Sequence, residues 1–91
     1  MNEATQDILR VELKEPNRIV TLSFAFLNIG SLIKPAFRKM LIEFESSGGV
    51  FSNRSEYPGW IETTYIDPKF TGEAQLVYRV YQYIQMLMED D

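Results

Sequence analysis

The stretch Glu73–Met88 carries apolar and tyrosine side chains around well over half of a helix's circumference, and that width restricts what can be built around it. Val77, Val80, Tyr81, Ile84, Leu87 and Met88 recur at the three- and four-residue spacing of one helical face, which Leu76 and Tyr83 widen. A helix that merely covers a sheet needs an apolar stripe about 100° wide. The excess predicts a second buried side, and self-association through Tyr78, Tyr81 and Ile84 is the simplest way to supply it.

Upstream, the period shortens to two. In Ile8–Lys14, Leu9, Val11 and Leu13 alternate with Arg10, Glu12 and Lys14, the pattern of a half-buried strand. Glu15-Pro16-Asn17-Arg18 has turn chemistry, and Ile19–Leu27 follows as a second strand with Val20, Leu22, Phe24 and Phe26 on one face. The short link makes these two an antiparallel hairpin. Ser31 is placed to cap a helix that runs through Pro35 to about Ser46, with Ile33, Phe37, Met40, Leu41 and Phe44 on its inner side. Ser46-Ser47-Gly48-Gly49 stops it with a left-handed residue.

The segment from Val50 to Ile66 reads as a second hairpin around a Tyr57-Pro58-Gly59-Trp60 turn, its Ser52–Glu56 part being either weak strand or loop. Asp67-Pro68 ends it, and the final helix begins at Glu73. The expected fold is therefore α+β: a two-layer sandwich, an antiparallel sheet with two helices on one face, in the order ββαββα. At 91 residues the chain is one domain, 1–91, with 1–7 and 89–91 expected to fray.

Several functions are excluded by what the chain lacks. It has no cysteine and no histidine. That removes disulfides, thiolate chemistry, zinc sites of the usual kind, the commonest general base and every Ser-His-Asp or Cys-His triad. No catalytic residue, metal ligand set or cofactor is assigned. Thirteen acids against nine bases give a net charge of -4, a poor match to nucleic acid, and the bases cluster only at Lys34, Arg38 and Lys39. The polar, acidic N-terminus is unlike a signal peptide, and no apolar run is long enough to span a membrane, so a cytoplasmic chain without membrane contact is expected.

Two segments stand out as binding candidates. Arg54, Tyr57 and Trp60 combine the residue types enriched in binding hot spots on one turn. Gly30, Ser31 and Lys34 lie where a strand meets a helix N-terminus, the place where free N–H groups hold an anion. The strand–loop–helix run Ile19–Gly49 is similar in outline to the strand–helix unit of anti-anti-sigma (STAS) domains, which carry a phosphorylatable serine near the position of Ser31. Gly30 stands where those domains have an aspartate, and the later hairpin departs from their alternating topology; no family is assigned. The expected function is a non-catalytic protein–protein interaction module, an adaptor, inhibitor or immunity-type regulator. Its partners are itself, as a homodimer, and another protein. The alternatives are a small-molecule or anion-binding sensor and, more remotely, a small carboxylate- or Mg²⁺-dependent enzyme.

Overall fold

A computed structural model of the chain describes residues 3–89. The elements are α1 (Glu3–Lys14), β1 (Ile19–Ser23), β2 (Phe26–Gly30), α2 (Lys34–Ser46), β3 (Val50–Ser52), β4 (Ser55–Pro58), β5 (Glu62–Ile66), β6 (Lys69–Glu73) and α3 (Ala74–Glu89). The mixed α+β class is as expected. The order ββαββα is not, because the chain opens with a helix.

The strand expected over Ile8–Lys14 is the second half of α1. Its alternating pattern is a fragment of a helical one that starts earlier, at Thr5. Thr5 and Ile8, three apart, are 2% and 1% exposed, whereas Leu13, central to the alternation, is 81% exposed. Glu, Ala, Gln, Leu, Arg and Lys dominate the segment, and all of them favour a helix. Residues 3–7, expected to fray, form the first part of α1. Met1, Asn2, Asp90 and Asp91 lie outside the described residues.

Without that first strand there is no N-terminal hairpin. β1 pairs instead with β6, and β6 with β3; in a second antiparallel sheet β2 pairs with β5, and β5 with β4. The two sheets are joined along every strand without loss of register. Ser23 lies opposite Lys69 and Phe26 opposite Ile66, an advance of three residues on each side of the junction. The third strand keeps step, from Ser52 opposite Lys69 to Ser55 opposite Ile66. Hydrogen bonds cross the junction: the Phe24 N–H donates to the Pro68 carbonyl at 3.2 Å, Asp67 to Ala25 at 2.9 Å and Arg54 to Ile66 at 2.9 Å. Asp67-Pro68 thus bends a strand rather than ending it, and Thr71-Gly72 lies within β6.

The bend has a backbone cause. Asp67 has a φ of 52°, in the left-handed region that aspartate tolerates better than most residues. On the central strand this one residue outside the extended region breaks the two-residue alternation, and the buried side changes parity across the bend on the paired first strand too. Along the first bent strand the core receives Val20, Leu22 and Phe24 before the bend, then Leu27 and Ile29. Along the central strand it receives Thr63 and Tyr65, then Phe70 and Gly72. Phe26, which strict alternation put beside Phe24 in the core, is 58% exposed.

α2 and α3 supply the expected apolar faces. Phe37 and Phe44 are the buried residues of α2, and their rings lie 5.5 Å from Tyr65 and 5.8 Å from Phe70. The N-cap of α2 is Ile33, without a side-chain cap, so Ser31 does not take that role. At the other end Gly48 adopts a φ of 98°, and the Gly49 N–H reaches back to the Phe44 carbonyl at 2.9 Å, as a left-handed helix stop requires. α3 packs against β1 and β6 on one side and α1 on another. The second buried side of this helix is therefore provided within the chain. Among the described residues no helix is long and apolar enough to cross a membrane.

Candidate functional site

The end of the distal sheet beyond the Gly30–Glu62 pair is formed by two adjoining turns: the β4–β5 hairpin loop and the link from β2 to α2. Gly59 makes the first possible, because a Cβ there would sit 2.6 Å from the Glu62 carbonyl oxygen. The two turns are tied together. The Ser31 N–H donates to the Ile61 carbonyl at 2.6 Å, and the Lys34 ammonium donates to the Gly59 carbonyl at 3.1 Å. Gly30 lies opposite Glu62 at the last rung of the ladder. The two binding segments separated by some 25 residues in sequence thus meet at one end of the fold.

What this end presents to solvent is apolar. Trp60 is 100% exposed, Leu32 95% and Ile61 79%, while Tyr57 is 61% exposed on β4. Behind them the outward face of the distal sheet carries Phe26 opposite Ile66 and Asn28 opposite Thr64, which is in turn opposite Tyr57. The Thr64 hydroxyl donates to the Asn28 side-chain carbonyl at 2.6 Å, fixing that row of side chains on one face. Among the described residues no helix covers this face. Large exposed side chains clustered this way are the mark of a contact surface, whereas single ones scattered over a protein are ordinary.

The charges nearby are mixed. Arg38 follows Lys34 by one turn of α2, while Glu56 lies opposite Tyr65 and Glu62 opposite Gly30. Among the described residues the ion pairs Arg10–Asp7, Arg18–Glu15 and Lys69–Asp67 all lie away from this end. Tyr65 points to the inner side between these groups. Burial raises its phenol above the usual value, the Glu56 carboxylate adds to the rise, and the Arg38 guanidinium opposes it.

The sequence-derived site residues fall into three groups. Tyr57 and Trp60 lie on the exposed end, and Arg54 is exposed beside the bend, where its N–H helps close the ladder. Gly30, Ser31 and Lys34 border the same end, but the Ser31 N–H and the Lys34 ammonium already have protein acceptors, which weakens the anion pocket expected there. Tyr78, Tyr81 and Ile84 do not form a surface. Tyr81 and Ile84 are 6% and 1% exposed inside the protein, and the half-buried Tyr78 stacks on Tyr81 at 5.9 Å. Charged substitutions there would disrupt the core rather than a dimer. Leu32, Ile61 and Phe26 were missed. The first two are bulky apolar residues inside turns, a signal that was open to inspection; Phe26 was hidden by the parity change.

Another recess is a groove of about 420 Å³ between α2 and α3, lined by Met40, Glu43, Leu76, Arg79 and Tyr83 among others. Its floor is Phe44 and its rim carries one charge of each sign, with no convergent polar set. Among the described residues no three Asp or Glu side chains come together as a metal ion would need. No protein-family model matches the chain, and no curated protein or solved structure matches it. What the chain does is therefore carried by its own geometry.

Proposed function

We propose that the chain is a non-catalytic protein–protein interaction module whose contact surface is the apolar end of the bent sheet. One observation carries this reading: the single tryptophan is fully exposed, flanked by exposed Ile61 and Leu32 on two turns held together by backbone hydrogen bonds. A tryptophan held in water on a braced turn has no folding role to explain it, while tryptophan and tyrosine are the side chains that dominate binding energy when a partner covers them. A regulator, adaptor or inhibitor needs little more than such a surface. The lack of cysteine fits a reducing cytoplasm, which belongs to the same proposal.

The test is affinity capture with the full chain beside Trp60→Ala and Leu32→Ser, at low and high salt. A defined protein retained by the native chain at high salt and lost by both variants is the expected result. Equal capture by all three overturns the assignment of this surface. The sensor reading has less support, because the Ser31 N–H is bonded to Ile61 and the Lys34 ammonium is held by Gly59; it predicts a Trp60 fluorescence change with small metabolites that persists after all protein partners are removed.

A further inference from the structure

The apolar end contains both halves of a self-complementary contact. One half is a projection, Leu32, Trp60 and Ile61 at the two turns. The other is a seat, the row of Phe26 and Ile66 bordered by Tyr57 on the open outer face. They are separated along the sheet: Phe26 lies opposite Ile66, six residues from Trp60, or roughly 20 Å at the rise of a strand. A projection and a seat displaced along one surface are what a two-fold axis needs, since each copy then offers its projection to the other's seat.

We infer that a second copy of this chain occupies the surface, with Trp60 of each copy lying on Phe26 of the other. The inference rests on the proposed function and names the partner of the same site. Two further observations favour a second copy. The exposed parts of Phe26, Leu32, Tyr57, Trp60 and Ile61 amount to about 700 Å² at the usual size of such side chains. Taken together along one surface, that approaches the ~800 Å² each partner gives to a standard interface. The surrounding charges are mixed in sign, Lys34, Arg38 and Arg54 against Glu56 and Glu62, in a chain whose net charge is -4. Two copies can pair unlike charges there, whereas an anionic bilayer or nucleic acid would require a strongly positive surface.

The absence of cysteine gives a clean test. A chain carrying Phe26→Cys and Trp60→Cys cannot close a disulfide on itself, because the two Cα atoms are far beyond the limit of about 7 Å. Under mild oxidation it is expected to form a covalent dimer far faster than either single-cysteine chain does alone. Sedimentation of the unmodified full chain is expected to show a monomer–dimer equilibrium, with Trp60→Ala raising its dissociation constant at least about 30-fold. Circular dichroism of Trp60→Ala should stay native, since the side chain touches nothing in the monomer, and Phe26→Ser serves as the second variant. A chain that stays monomeric at high concentration overturns the inference, and so does one that grows into open assemblies. If that monomer still captures another protein in a Trp60-dependent way, the proposed function stands and only the second copy is lost.

Discussion

The Asp67 N–H donates to the Ala25 carbonyl at 2.9 Å from a backbone whose φ is 52°, so the sheet turns a corner without losing a rung. The corner determines which side chains reach solvent. It moves Leu27 and Ile29 inward and Phe26 outward, and so leaves an apolar outer face beside the Trp60 hairpin.

Asp67 is therefore a sensitive position for its conformation more than for its charge. Its ion pair with Lys69 at 2.9 Å is nearly half exposed and contributes little. Asp67→Asn should change stability by less than about 0.5 kcal/mol, because asparagine tolerates the left-handed region. Asp67→Val should cost about 1–3 kcal/mol, since a branched Cβ is strained there. Urea denaturation of the two variants separates these outcomes; equal losses would mean that the carboxylate, and not φ, holds the bend.

The two glycines after α2 should differ in the reason they are needed. A Cβ on Gly49 would enter the Phe44 ring, so Gly49→Ala should cost about 2–3 kcal/mol by overpacking the core. Gly48 has open space around it and a φ of 98°, so Gly48→Ala should lose only about 1 kcal/mol of backbone strain. Reversed magnitudes in thermal unfolding would contradict the packing of Phe44 against Gly49.

Ile8 and Leu13 discriminate a helix from a strand at the N-terminus. Ile8→Ala should cost about 2–5 kcal/mol, and Leu13→Ala should be within about 0.5 kcal/mol of native. A strand with Leu9, Val11 and Leu13 inside would give a large loss at Leu13 instead.

That same segment shows how far the sequence was legible. The helical periods of α2 and α3 and the glycine stop after Ser47 rest on local chemistry and were readable. The hairpin before Asp67 was readable too, but its turn lies at Gly59-Trp60-Ile61 and not at Tyr57-Pro58-Gly59-Trp60, since Tyr57 and Pro58 pair within β4. α1 was misread because Leu9, Val11 and Leu13 alternate over a window that omits Thr5, and a short apolar alternation does not distinguish strand from helix. The wide face of α3 was read correctly as needing two covers, but which element supplies the second is a tertiary matter. With α1 taken as a strand, a second chain is the simplest cover, and a helix buried on two sides within the chain is the alternative that α1 provides. At the site, Trp60 and Tyr57 were visible by residue type. Phe26 was not, because its strand is interrupted at Phe24-Ala25 where the sheet bends, and alternation does not carry across that break.

Tyr65 gives a pH signature. Its phenol ionises above the usual value in the folded chain, chiefly through burial and then through Glu56, so the folded state holds its proton longer than the unfolded state does. The corresponding stability is complete below the normal tyrosine range near pH 10 and is lost as pH rises from there through the raised value. Tyr65→Phe should therefore flatten the decline of the urea midpoint on the alkaline side while leaving neutral pH little changed. A decline of the same steepness in the variant would place the titration elsewhere.

The central claim is that Trp60 stands in water on a braced turn and not in the core. Because it is the only tryptophan, its fluorescence in dilute protein reports on it alone. Acrylamide quenching should approach that of a free indole, with red-shifted emission, and Trp60→Ala should leave the urea midpoint of the dilute chain unchanged. A blue-shifted, quencher-resistant emission in the dilute monomer, with a stability loss of about 3–5 kcal/mol on Trp60→Ala, would show the side chain to be a core anchor and contradict the account.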